Sequence, residues 1–115
     1  MSSNLKKVIR KDSTIGKIAE KYDLPPLIVA YIRSALLRKD NKYDKQSLMY
    51  HIQEENIERS NKIQKLRMRI DETNIDSINV HILGMQKKMD FRQGVLAVLR
   101  TIDDDMLQKL LVPTI

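Results

Sequence analysis

The chain has 115 residues, a formal net charge of +6, 42% hydrophobic and 31% charged residues, the balance of one globular domain and not of a disordered segment. It has no cysteine, three glycines and five aromatic residues, which excludes disulfides and thiolate metal sites and leaves little for β-architecture, glycine-rich phosphate loops or base-stacking platforms. No apolar run approaches the ~18 residues of a membrane span, and the first ten residues lack a signal-peptide core, so the expectation is a cytoplasmic protein with no membrane partner.

The charge is unevenly spread. Residues 1–45 carry eleven Lys/Arg against five acids, and the remainder of the chain is balanced. A localised basic surface is the electrostatic footprint of a polyanion partner, most often nucleic acid. Residues 1–11 form a basic arm containing Lys6, Lys7, Arg10 and Lys11. Residues 12–115 read as a single compact all-α domain of several helices. Asp12 or Ser13 caps a first helix from Thr14 to about Tyr22, with Ile15, Ile18, Ala19 and Tyr22 along one side. Pro25 and Pro26 suit the first turn of a second helix, which runs to about Arg38. After a polar turn, a long third helix occupies about 45–70, an interval with neither Gly nor Pro. C-terminal helices fill about 73–112. The first follows Ile75, Ile78, Ile82, Met85 and Met89, with Thr73 and Asp76 as a capping pair. A separate one starts after Asp90 as its cap and follows Phe91, Val95, Val98, Leu99 and Ile102, and a last short helix opens with the acids Asp103 to Asp105.

Within about 13–38 the spacing matches a helix–turn–helix unit. Ala19 is the small residue at the closest approach, Leu24 the apolar residue past the turn, and Val29 and Ile32 the pair seating the second helix. Asp23 stands where such turns favour glycine, and aspartate tolerates the left-handed region better than most residues. The side chains that would face a DNA groove (Leu27, Ala30, Tyr31 and Ser34 among them) offer little to base edges. Lys17, Lys21, Arg33, Arg38 and Lys39 can meet phosphates, which position a protein without reading sequence. Leu27 and Tyr31 suit a protein-facing patch.

The run Lys21-Tyr-Asp-Leu-Pro-Pro26, the apolar helix after it and the turn Leu37-Arg-Lys-Asp-Asn-Lys42 resemble the second conserved domain of the DnaD/DnaB replication-initiation proteins. The resemblance covers about residues 18–55. At the family's Tyr-x-x-x-Ile-x-x-x-Trp motif this chain has Leu48, Ile52 and Asn56. The resemblance implies a helical module that engages single- or double-stranded DNA and helps assemble replication proteins without catalysis; small phage-encoded proteins of this size often carry only part of such a scaffold.

A heptad seam runs through Met49, Asn56, Ile63 and Ile70 and through Ile52, Arg59 and Leu66, offering a homodimer contact along the long helix. The apolar tail, with Leu110 and Leu111, either closes the core or docks on a partner. His51 and His81 lie on different helices, no His-Glu-x-x-His or phosphate-loop spacing occurs, and neither a metal, a cofactor nor an enzymatic activity is expected. Two functions therefore stand side by side. One is a DNA-associated regulator of transcription or replication that binds through phosphates. The other is a protein-binding adaptor or inhibitor acting on a replication or transcription machine.

Overall fold

The computed structural model describes residues 12–37 and 43–111, and among them every regular element is an α-helix. Helix α1 (Thr14–Tyr22) starts at Ser13, whose Oγ accepts a hydrogen bond from the Gly16 amide at 3.0 Å. It ends at Asp23, in the left-handed region at φ 55°, ψ 51°. That conformation lets the Leu24 amide donate back to the Ala19 carbonyl at 2.9 Å and turns the chain within three residues into α2 (Pro26–Leu36). Ala19, Val29 and Ile32, the residues expected to seat the second helix on the first, are buried.

Helix α3 (Lys45–Arg67) begins at Asp44, whose Oδ1 accepts from both the amide and the hydroxyl of Ser47 at 2.7 Å. It ends three residues before the expected limit. The turn beyond it is closed by Asp71 and Asn74 and not by the expected Thr73–Asp76 pair. Asp71 Oδ1 accepts from the Thr73 amide and hydroxyl, and Asn74 Oδ1 accepts from the Asp71 amide at 2.8 Å. Both aspartates have carboxyl pKa values below the usual one, because hydrogen bonds from Ser47 and Thr73 favour the charged form of Asp44 and Asp71 respectively.

Helix α4 (Ile75–Thr101) is continuous through Asp90, so the two helices expected here are one. The physical reason is an unbroken stripe: Ile78, Ile82, Met85, Met89, Arg92, Leu96 and Leu99 recur at alternating spacings of four and three. A second stripe containing Phe91, Val95 and Val98 overlaps it, and in sequence this imitates a fresh start. Helix α5 (Asp104–Leu111) follows, its first turn capped by Asp103, which accepts from the Met106 amide at 2.8 Å. Lys45 Nζ donates to the Ile102 carbonyl at 2.5 Å, tying the start of α3 to this corner.

Helices α3 and α4 form an antiparallel hairpin whose register is marked by Arg92 Nε donating to Glu55 (3.1 Å) and Asn56 Nδ2 donating to the Met89 carbonyl (3.4 Å). One core, built on Ile18, Val29, Ile32, Leu48, Ile52, Leu96, Leu99 and Leu110, joins α1, α2, α5 and the proximal half of the hairpin into a head. Ile63 and Ile82 are buried outside that core, level with each other in the hairpin register. The distal half of the hairpin is thus an arm, and the molecule measures 56 × 34 × 26 Å. The hairpin also settles where the heptad seam goes. Ile52, Asn56 and Ile63 are buried against the chain's own α4, so this seam is not free to pair with a second copy.

Candidate partner-binding groove

The face of α2 bearing Leu27, Ala30, Tyr31 and Ser34 does not stand out from the molecule. It forms one wall of an open groove of about 700 Å³. Leu48, Tyr43 and His51 supply the floor and near end, and Lys87, Lys88, Phe91 and Arg92 on α4 form the opposite wall. The wall residues on α4 are spaced so that 87 and 91, and 88 and 92, each fall one turn apart on the same side of the helix. Three of the five aromatic residues of the chain gather here.

Those rings are largely occupied by one another and by cations. Tyr31 meets Phe91 edge to face, with centroids 5.8 Å apart and planes at 71°. The Arg92 guanidinium carbon lies 5.5 Å from the Tyr31 centroid, and Tyr43 stacks on His51 at 5.0 Å and 35°. Burial pushes the Tyr31 phenol above its ordinary pKa, while the Arg92 charge pulls the other way. Arg92 is in turn fixed by Glu55, which sits among three basic side chains: Arg92 at 3.1 Å, His51 at 3.6 Å and Arg59 at 3.9 Å. No carboxylate lines the groove itself, and Lys87 and Lys88 are exposed on its rim. The site therefore offers apolar surface and aromatic edges beneath free positive charge.

The sequence-identified residues divide sharply. Leu27 and Tyr31 are in the groove; Leu27 is 45% exposed. Lys17 and Lys21 are exposed on α1, with Lys21 Nζ 5.4 Å from the Tyr22 ring centroid. Arg33 has a structural duty, donating from Nη1 to the Leu110 carbonyl at 2.6 Å, where it satisfies an end group of α5. Leu110 is fully buried and Leu111 half-buried against the same core, so the last helix packs on the head. Lys6, Lys7, Arg10, Lys11, Arg38 and Lys39 lie outside the described residues. Leu48, Ile52 and Asn56, at the positions of the family motif, are all buried, with Ile52 and Asn56 along the hairpin seam.

Tyr43, His51, Lys87, Lys88, Phe91 and Arg92 were not singled out from sequence as one site. The available signal was the run Lys87-Lys-Met-Asp-Phe-Arg92, which puts paired cations one turn before an aromatic and a guanidinium. Among the described residues no group of His, Asp and Glu is placed to hold a metal ion, and no helix is long and apolar enough to cross a membrane. No protein-family model, curated protein or solved structure matches this chain.

Proposed function

We propose that this protein is a non-enzymatic adaptor or inhibitor that takes an acidic, apolar-anchored segment of another protein into the α2–α3–α4 groove. The observation that carries this reading is the position of the α2 face. In a DNA-reading helix it would project outward, whereas here α4 walls it into a groove. The opposing wall bars a duplex major groove, and the pairing of Tyr31 with Phe91 and of Tyr43 with His51 withdraws ring faces from base stacking. What remains suits an amphipathic helix, with apolar side chains against Tyr31 and Phe91 and carboxylates toward Lys87 and Lys88. The resemblance to replication-initiation proteins favours a cytoplasmic replication machine as the source of that segment.

The test is a panel of fluorescein-labelled helical peptides with Leu or Phe at i, i+4 and i+7 and flanking Asp/Glu, read by anisotropy. Tyr31→Ala should weaken the best binder by about 2 kcal/mol, near thirtyfold, as expected for an aromatic anchor. Lys87→Glu with Lys88→Glu should transfer preference to the same peptide with Lys in place of the acids. Equal binding to wild type and to both variants would remove the groove from the reading.

The concentration of positive charge in residues 1–45, with Lys17 and Lys21 exposed, supports a second reading, in which the protein also associates with DNA through phosphates. Affinity for a labelled duplex that does not fall between about 50 and 200 mM salt would end it.

A further inference from the structure

Lys17, Lys21 and Arg33 lie on α1 and α2, in the head. The arm carries a separate set. Lys62 and Lys65 on α3, Arg69 just past its end, and His81 on α4 line one cleft of about 230 Å³, whose remaining lining residue is Leu66. No acid lines it, and none of these side chains is ion-paired with a described residue. The cleft is held in shape at both ends. Lys62, Lys65 and Leu66 sit in the regular α3 helix, and the Arg69 backbone is pinned by its amide donating to the Leu66 carbonyl (3.0 Å) and by Asn74 Nδ2 donating to the Arg69 carbonyl (3.0 Å).

Cations in the last turn of a helix commonly answer its negative end. Lys65 and Arg67 occupy that turn in α3. Lys62 lies before it and His81 belongs to another helix, so the convergence on one cleft goes beyond dipole compensation. Lys88 lies seven positions after His81, about two turns further along the same side of α4. Asp71, the acid nearest along the chain, spends its Oδ1 on the Thr73 and Asn74 donors of the turn.

We infer that this cleft is a phosphate-backbone contact for duplex nucleic acid. The inference rests on the nucleic-acid reading above and is independent of the groove. A helical arm presenting unpaired Lys and Arg meets the requirement of backbone contact, which is positive charge without base-edge chemistry. Single-strand sites add aromatic platforms, and this cleft has none. An anionic bilayer would call for apolar side chains on the same face. Val80 is exposed on α4, but it lies about 100° around the helix from His81.

The experiment compares wild type, Lys62→Glu/Lys65→Glu/Arg69→Glu and the same triple with Gln. Each is checked for helicity by circular dichroism and titrated into a labelled 20-base-pair duplex. Three phosphate contacts at a slope of about 0.9 each make affinity fall about fortyfold between about 50 and 200 mM salt. The arm triples should bind at least tenfold more weakly at the lower salt and lose most of that fall. If wild type binds and the folded arm triples bind equally well, the arm assignment is overturned and the nucleic-acid reading stands. If wild type does not bind at all, both fail. Tighter binding to a single strand, or to phosphatidylserine vesicles, overturns the duplex assignment.

Discussion

Asp23 shows how one residue can shape the site. Its φ of 55° directs the chain from α1 into α2 and so sets which face of α2 meets α4. A left-handed residue carrying a Cβ costs roughly 1–2 kcal/mol, less for aspartate and little for glycine. Asp23→Gly is therefore expected to raise stability by up to about 1 kcal/mol, and Asp23→Val to lower it by about 1–2 kcal/mol, in urea melts followed by circular dichroism. Groove binding by the glycine variant should be unchanged. The sequence shows the need for this conformation at position 23, because the spacing on either side is legible. Arg33 is the opposite case. Its charge is visible in sequence, but its commitment to the Leu110 carbonyl depends on a contact between residues far apart in the chain.

Asp44 and Asp71 make the turns at the two ends of α3 dependent on pH. Their folded pKa values are depressed, so the stability they add is present above the ordinary carboxylate value near ~3.9. It is lost as pH falls through the lower folded values. Asp44→Ala is expected to melt below wild type at neutral pH and to converge with it under strongly acidic conditions, where the wild-type carboxylate is protonated as well. A gap in Tm that persisted in acid would mean that the side chain acts by something other than its charge-assisted bonds to Ser47.

At the scale of the element, α4 is the helix that makes both the arm and the groove. It contains two glycines with different surroundings. A Cβ at Gly84 would meet nothing within 4 Å, whereas one at Gly94 would lie 3.3 Å from Ile28 Cδ1. Gly84→Ala should stabilise the protein by about 0.5–1 kcal/mol, the usual difference in a helix interior. Gly94→Ala should gain less, since the α2–α4 approach must open by a few tenths of an ångström. Thermal melts of the two variants make the comparison directly, and equal gains would show that the Ile28 contact yields without cost. The helices themselves were legible from period and caps, and the limits of α1 and the start of α3 followed from Ser13 and Asp44. The continuity of α4 was not, because a cap-forming aspartate at 90 coincides with two overlapping apolar stripes. The groove was half legible. Leu27 and Tyr31 marked one wall, but the pairing of that wall with Lys87–Arg92 is a tertiary event with no signature within either segment.

Over the whole molecule, burial is concentrated at one end. The head joins five helices through a continuous core, whereas the arm has only Ile63 and Ile82 fully enclosed, supported by half-buried Leu66, Ile78 and Met85. Between the two lies a polar layer in which Asn56 Oδ1 and Arg59 Nη1 are buried without a hydrogen-bond partner, although Arg59 Nη1 stands 3.9 Å from Glu55 Oε1. Polar groups enclosed in this way are costly unless water reaches them, so the layer interrupts the apolar coupling between head and arm. Opening of the arm should therefore require less free energy than opening of the head. Native-state hydrogen exchange is expected to show lower protection for amides near 60–66 and 78–86 than for those near 28–36 and 94–101. Ile63→Ala should reduce protection in the arm alone, although the same truncation in a single cooperative core costs about 2–5 kcal/mol everywhere. Leu99→Ala should lower protection in both parts. If Ile63→Ala instead lowers protection uniformly, head and arm form one cooperative unit and the polar layer does not divide them. Independent opening would let the basic cleft adjust to a backbone while the groove keeps the shape set by Asp23 and Gly94.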